Sequence, residues 1–238
     1  MSTVRIIIIG DEILSGKFVD ENTPWLIRTC REHNLQITGI AIIPDQIDTI
    51  VQHVRDASNN ATYVITTGGV GPTHDDKTIE AVAKAFNVPL IESQQLVDLI
   101  NGYAKGNKAL LRMATVPENY RLLDCGPGNF PQLVVENVYI FPGVPKFLKR
   151  KLSLIIPKWE GKTIHRTKVD LTVRESLIAI ELEEIQNQNP DVDIGSYPRY
   201  DDSEINTIIT IDGEDESRVH ETRKSIQKAF QEWMIQKG

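Results

Sequence analysis

The sequence has few of the features that mark secreted, membrane or nucleic-acid-binding proteins. Its 238 residues include only two cysteines, Cys30 and Cys125, too few for a disulfide framework or a zinc site. No apolar run approaches the ~18 residues of a membrane span, and no charged stretch with a cleavable apolar segment opens the chain. Basic blocks are absent and the net charge is −7, which disfavours nucleic acid as a partner. We therefore expect a cytoplasmic protein that binds neither membranes nor nucleic acid.

Several catalytic signatures are also missing. The glycine-rich segment of the chain does not end in Gly-Lys-Ser/Thr, so it is not a Walker loop. The spacing of its glycines also differs from that of a Rossmann fingerprint. There is no Gly-x-Ser-x-Gly nucleophile elbow. These absences disfavour a P-loop enzyme, a classical dinucleotide-binding fold and a serine hydrolase.

The most informative segment is that glycine-rich one, residues 66–76, which reads TTGGVGPTHDD. It follows an apolar, strand-like run at 63–65 and precedes a helix-like run at 78–86. Three glycines within residues 68–71 leave backbone N–H groups uncovered where a helix begins, a position that attracts phosphate. The two carboxylates that end the segment would repel that phosphate unless a cation lay between them. Residues 68–76, called the Gly loop below, therefore predict a phosphate-containing ligand and a divalent metal.

Acidic residues follow three successive predicted strands. Asp11 and Glu12 follow the first strand, Asp45 follows the second, and Asp75 and Asp76 end the Gly loop. Ligands of open parallel sheets bind outside the carboxyl ends of the strands, so we expect these side chains at one edge. Such a cluster could ligate a metal or orient a water for attack on phosphorus. Each of these residues also has a structural alternative. Asp45 could be a helix N-cap, Asp11 and Glu12 could lie in a solvated turn, and Asp75 and Asp76 could be charges at a helix N-terminus.

Three other side chains are weaker candidates. His74 lies in the Gly loop and could contact a phosphate or act as an acid, or could simply face solvent. Arg112 and Lys108 could supply positive charge to an anionic ligand, although solvated charges are the simpler interpretation.

The alternation of strand and helix patterns predicts an α/β fold with a mostly parallel sheet between helix layers. The order of elements after residue 160 is strand, helix, strand, strand, helix, typical of a small α+β module. We expect domains at 1–157 and 163–238. Predicted strands of the first domain are 4–9, 35–43, 63–67 and 138–141, and its predicted helices begin at the cap-like Asn22, at Pro44-Asp45, at Thr78 and at Ser93.

The motifs together resemble the MoCF family, the MoaB/MogA-like molybdopterin-binding domain. The Gly loop with its two aspartates carries this resemblance. Residues 10–16 (GDEILSG), with Asp20 and Asn22, and residues 142–145 (PGVP) are similar to a subgroup of the family. That subgroup comprises CinA-type proteins and the N-terminal domain of eukaryotic-type FAD synthases. The second domain also resembles the small domain that follows in this subgroup.

The resemblance implies a three-layer fold, a homo-oligomer and a set of site residues. Asp45 and Asp76 match the aspartates that serve catalysis with magnesium in adenylyltransferase members, and Asp75 with Asp76 is the expected metal site. The ligand, molybdopterin or a nucleotide, is expected at Gly10, Asp11, Glu12, Asn22, Thr67, Gly68, Gly69, Gly71, Thr73, Pro142, Gly143 and Pro145.

Three functions stay open on this basis. The first is hydrolysis of a dinucleotide pyrophosphate such as ADP-ribose or FAD, dependent on a divalent metal (Mg, Mn or Co). The second is molybdopterin binding or adenylylation in molybdenum cofactor biosynthesis. The third is non-catalytic nucleotide binding.

Overall fold

The structure is a computed structural model that describes residues 2–126, 129–159, 161–200 and 206–234. The chain divides into two compact units, Met1–Gly161 and Lys162–Gly238. None of the described helices is both long enough and apolar enough to span a membrane.

The first unit is an α/β domain. Its strands are β1 Thr3–Ile9, β2 Gln36–Ile43, β3 Tyr63–Thr67, β4 Leu90–Glu92, β5 Thr115–Pro117, β6 Tyr120–Leu123, β7 Gln132–Val135 and β8 Val138–Phe141. Its α-helices are α1 Asp11–Leu14, α2 Asn22–Glu32, α3 Ile47–Asn60, α4 Thr78–Ala85, α5 Gln94–Ala104, α6 Lys108–Leu111 and α7 Pro145–Ile155. Short 3₁₀ turns cover Arg112–Ala114 and Ile156–Lys158.

Six of these strands form one sheet, in the order β2-β1-β3-β8-β7-β6. Neighbours among β2, β1, β3 and β8 pair in parallel, whereas β7 and β6 extend the sheet with antiparallel pairing. Strands β4 and β5 form a separate antiparallel pair. The four parallel strands end at the same edge of the sheet, which fixes where the loops that follow them meet.

Helices cover both faces of this sheet. On β1, Val4, Ile6 and Ile8 join the core that contains residues of α2 and α7. Ile7 and Ile9 point the other way and join the core that contains residues of α3, α4 and α5. A central strand of a parallel sheet needs apolar residues on both faces, which explains its continuous β-branched run. The predicted α/β fold with a mostly parallel sheet between helix layers is confirmed.

The second unit has the predicted βαββα order: β9 His165–Leu171, α8 Glu175–Gln188, β10 Val192–Pro198, β11 Thr207–Gly213 and α9 Glu216–Ala229. A 3₁₀ turn at Gln231–Trp233 follows. The sheet is antiparallel, in the order β10-β11-β9. Ile209 and Ile211 of β11 are fully buried in a core shared with α8 and α9. The small α+β domain is therefore also confirmed.

Candidate functional site

Loops from all four parallel strands meet at one edge of the sheet. The Gly loop follows β3, and its first N–H, from Gly68, donates to the carbonyl of Phe141 at the end of β8 (3.2 Å). The N–H of Gly10, after β1, donates to the carbonyl of Ile43 at the end of β2 (3.1 Å). The predicted convergence of acidic loops thus follows from strand order and parallel direction.

Two glycines of the loop allow the strand ends to approach this closely. Gly68 has a φ of +107°, and a Cβ there would lie 1.9 Å from the carbonyl oxygen of Ile9. Gly69 has a φ of +62°, and its Cβ would lie 2.5 Å from Thr78 Oγ1 and 3.0 Å from Asp45 Oδ1. Both positions therefore exclude a side chain, and the second brings the loop backbone against the Asp45 carboxylate.

The Asp45 carboxylate is half-buried and surrounded by negative charge. Its Oδ2 accepts a hydrogen bond from the Asp11 N–H (2.9 Å). Burial raises the pKa of Asp45, and Glu12, Asp11 and Asp75 raise it further, against the lowering effect of the Asp11 hydrogen bond. The alternative interpretation as a helix cap is wrong, because α3 begins at Ile47 after Gln46, with no side-chain cap. A cation bound nearby would therefore stabilise the ionised form of the Asp45 side chain.

Asp76 holds the Gly loop in its shape. Its Oδ1 accepts from the Gly71 N–H (2.6 Å), and its Oδ2 accepts from the Thr73 N–H (2.8 Å) and from the Thr73 hydroxyl. Both carboxylate oxygens are thus engaged within the loop. The catalytic and metal-binding roles of Asp76 stay predictions.

Asp75 differs from Asp45 in its surroundings. Its side chain is exposed, and its pKa is lowered by the Thr73 side chain, by its own backbone N–H and by nearby His74 and Lys77. Asp75 is therefore ionised more readily than an ordinary aspartate, and it lies close enough to Asp45 to raise the pKa of that carboxyl. His74 is exposed.

Asn22 links the end of β3 to the loop after β8. It is buried, and its Nδ2 donates to the Gly143 carbonyl (2.8 Å) and to Thr67 Oγ1 (3.5 Å), while its Oδ1 has no partner among the described residues. Its interpretation as a helix cap is wrong. Asp20 Oδ1 instead accepts from the N–H groups of Asn22 (2.9 Å) and Thr23 (3.0 Å).

The remaining predicted positions lie at the same edge. Glu12 folds back over Gly10, whose Cβ would lie 2.7 Å from its carboxylate oxygens. Thr67 Oγ1 donates to the Pro142 carbonyl (2.9 Å), and Pro145 opens helix α7 directly after that loop. Across the described ranges, however, no three His, Cys, Asp or Glu side chains are grouped so that they could enclose a metal ion.

A cavity of about 660 Å³ adjoins the Gly loop and was not predicted from the sequence. Residues 69–73 and Asp76 line it, together with apolar side chains such as Leu110 and Met113. Arg112, Arg150 and Lys151 also line it, so the anion contact weighed for Arg112 has a structural setting. Lys108 does not line the cavity. Apart from the Gly loop and Pro142, the lining residues come from segments far apart in sequence that no local motif marks.

Comparisons with known proteins agree with this architecture. Residues 5–160 match the family described as "Probable molybdopterin binding domain", and residues 163–238 match "FAD synthase, middle domain". A protein of Archaeoglobus fulgidus is 34% identical over 194 residues, which cover 82% of this chain and 85% of that protein. A probable FAD synthase of Caenorhabditis briggsae is 31% identical over 98% of this chain but only 50% of its own length.

Among solved structures, the protein CinA from Thermoplasma acidophilum is similar, with a TM-score of 0.59 and 29% identity, covering 65% of this chain and 96% of that one. The family match spans well over half of the chain and coincides with the unit that carries the Gly loop. The chain therefore belongs to the family of probable molybdopterin-binding domains, and its second unit is similar to the FAD synthase middle domain.

Proposed function

We propose that the first unit hydrolyses the pyrophosphate bond of an ADP-containing dinucleotide, such as FAD or ADP-ribose, with a divalent metal. The observation that carries this proposal is the position of Asp45. Its half-buried carboxylate lies against the backbone of the Gly loop, and three neighbouring carboxylates raise its pKa. A phosphate-binding loop beside unneutralised carboxylates is the pattern expected where a cation and a phosphate bind together.

The Gly loop provides the phosphate contact. Within the described residues, the N–H groups of Gly69 and Val70 donate to no protein acceptor. Helix α4 begins just beyond the loop, at Thr78, and its N-terminus favours an anion. Asp76 fixes the loop through the hydrogen bonds described above, so we assign it a positioning role. A phosphate of the ligand would lie on these N–H groups.

The acidic residues fit a magnesium-type ion better than an enclosed metal site. Mg²⁺ usually takes one or two protein carboxylates and completes its coordination with phosphate oxygens and water. Asp75, whose pKa is lowered, is the carboxylate that would hold the ion, and no group of three ligands is needed for this mode. A bound ion would neutralise part of the negative charge on the phosphate oxygens.

Asp45 is the proposed general base. The oxygen of a water bonds to one phosphorus as the bridging P–O bond breaks, Asp45 accepts the proton of that water, and two monophosphates leave. A pKa raised by burial and by like charges makes a carboxylate a better proton acceptor.

The test is AMP release from FAD and from ADP-ribose by the full chain with magnesium, manganese or cobalt. We expect metal-dependent release that falls at least ~100-fold in Asp45→Asn, the scale of a lost acid–base group. Asp48→Asn, an exposed change in the first turn of the same helix α3, is the matched control and should leave the rate unchanged. No release above background with any of the three metals would refute the proposal.

The family match supports a second candidate, molybdopterin binding with adenylylation from ATP. The Gly loop and Asp45 would serve that reaction equally well, since it also places a nucleotide phosphate beside a metal. Molybdopterin-dependent consumption of ATP, without AMP release from dinucleotides, would favour this candidate. Nucleotide binding without either reaction would point to a non-catalytic protein.

A further inference from the structure

We propose that two copies of this chain pair through strand β2, so that their six-stranded sheets join into one continuous sheet across a two-fold axis at Ala41. Strand β2 is one of the two edges of that sheet. Among the described residues, no backbone hydrogen bond of residues 37–42 is formed outside the pairing with β1. The outward N–H and C=O groups of this edge are therefore open to a second strand. This pairing does not depend on the proposed hydrolysis.

Strand β2 lacks the features that protect the other sheet edges of this chain. Residues 35–43 read LQITGIAII, without a charge or a proline. The opposite edge of the same sheet, β6, is only four residues long and carries Arg121. In the second unit, both edge strands, β9 and β10, carry charged side chains, and β10 ends in Pro198. Charge, proline and short length are the usual protections of an edge, so the uncharged β2, eight residues long, is a template for another strand.

A bulge limits the part of β2 that can pair. The register with β1 skips Thr38, which has no partner between Ile37 and Gly39. Such an extra residue interrupts regular pairing and increases the local twist. From Gly39 to Ile43 the register is unbroken. These residues offer a second strand a straight segment of roughly 17 Å, at ~3.4 Å per residue.

The exposed isoleucines of this segment are complementary to themselves in antiparallel pairing. With the axis at Ala41, Ile40 of one copy lies opposite Ile42 of the other copy, and the reverse. Both isoleucines share a face with their partners on β1, Ile6 and Ile8, which belong to the core that contains residues of α2 and α7. Each is 40% exposed in the single chain. Cross-strand pairs of β-branched side chains stabilise such a junction, and this register forms two of them.

The geometry favours a closed dimer of this chain over a filament. A strand that pairs with its own copy forms an isologous contact, which is complete with two chains. Growth beyond the dimer would use β6, whose short length and Arg121 oppose pairing. A strip this short belongs with the smaller interfaces, below roughly 1,200 Å² in total, so we expect a weak dimer with a Kd of about 1–100 µM.

The experiment is sedimentation equilibrium of the full chain at concentrations from about 1 to 200 µM, which bracket the expected affinity. We expect a reversible monomer–dimer equilibrium. The double variant Ile40→Lys, Ile42→Lys places like charges opposite each other across the axis, so its Kd should rise at least ~10-fold. The double variant Ile40→Glu, Ile42→Glu should weaken the dimer equally.

An equimolar mixture of the two variants should restore the dimer, because each lysine then lies opposite a glutamate. Misfolding of either variant cannot produce this rescue. The control is Leu177→Lys, Ile180→Lys on α8, where the side chains are 72% and 77% exposed, and it should dimerise as the wild type does.

Three results would overturn the proposal. The first is a wild-type chain that stays monomeric over the whole concentration range. The second is a dimer that persists in both β2 variants, or one that their mixture fails to restore. The third is a dimer lost in the α8 control but not in the β2 variants, since the contact would then lie on the second unit.

Discussion

The Asp45 carboxylate is expected to lower the stability of the metal-free protein, so Asp45→Asn should raise it. Burial and the charges of Glu12, Asp11 and Asp75 all oppose ionisation of this side chain. Asparagine keeps an oxygen that can accept from the Asp11 N–H, so the substitution removes charge and little else. A functional group retained at a cost in stability is the usual trade-off at active sites.

The size of this gain follows from the partial exposure of Asp45. Stabilising single substitutions commonly raise the free energy of unfolding by roughly 0.5–2 kcal/mol. Because Asp45 is only half-buried and solvent screens its charge, we expect a gain in the lower half of that range, about 1 kcal/mol. For a unit the size of Met1–Gly161, that gain raises Tm by about 2–4 °C.

The pH dependence has a definite sign. Because the pKa of Asp45 is raised in the folded state, stability falls as pH rises from the ordinary value of 3.8 through the folded-state value. The difference between Asp45→Asn and the wild type should therefore be complete at neutral pH and shrink as pH falls toward 4.

Urea unfolding in EDTA at pH 7 and pH 4 measures this difference, with Asp48→Asn as the control. Asp48 lies in the first turn of α3, where negative charge is favourable, so its neutralisation should lower stability slightly. Moderate salt should reduce the stability gained in Asp45→Asn, because it screens the repulsion between Asp45 and the neighbouring carboxylates. A loss of stability in Asp45→Asn at pH 7 would show that the charge of Asp45 does not destabilise the metal-free protein.

Three further results are expected. Gly68→Ala should cost more than ~3 kcal/mol in urea unfolding, because its Cβ would lie 1.9 Å from a carbonyl oxygen of β1. Gly102→Ala, in an open part of α5, should instead gain roughly 0.5–1 kcal/mol, and similar values for the two would contradict this account. Asn22→Ala should cost roughly 1–2 kcal/mol and weaken AMP binding in calorimetry, since the end of β3 and the loop after β8 lose their link; wild-type affinity would count against that role. Burial raises the pKa of the Cys30 thiol to about 12. In a Cys125→Ser variant, a thiol reagent at pH 8 should therefore label Cys30 only after unfolding, and rapid labelling of the folded protein would contradict this prediction.

The edge of the sheet could be predicted because it depends on local patterns and on one topological rule. The β-branched run of β1 and the glycines after β3 indicate parallel strands and a close turn. Once four strands run in parallel, their loops must meet, so Asp11, Asp45 and Asp75 could be placed together without tertiary information.

Other features depend on contacts that sequence patterns do not contain. Asn22 precedes Thr-Pro and looks like a helix cap, but its amide reaches Gly143, 121 residues away, while Asp20 accepts from the first two N–H groups of the helix. Strands β6 and β7 were not predicted, because they are four-residue runs. Helix α7 was not predicted either, although it begins at a proline and has buried Leu148, Leu152 and Ile155 at helical spacing. The cavity beside the Gly loop is lined in part by residues of β7 and α7, such as Leu133 and Phe147, so this part of its lining was not predicted either.

The proposed function requires that a metal and a ligand phosphate complete one site at the Gly loop. Its most direct test is calorimetric titration of α,β-methylene ADP into the full chain, with magnesium and with EDTA, beside an Asp75→Asn variant. We expect magnesium to tighten binding at least ~10-fold, a coupling of about 1.4 kcal/mol, and we expect this effect to be lost in the variant. Binding that magnesium leaves unchanged, or tightens equally in the variant, would show that no such joint site involves Asp75.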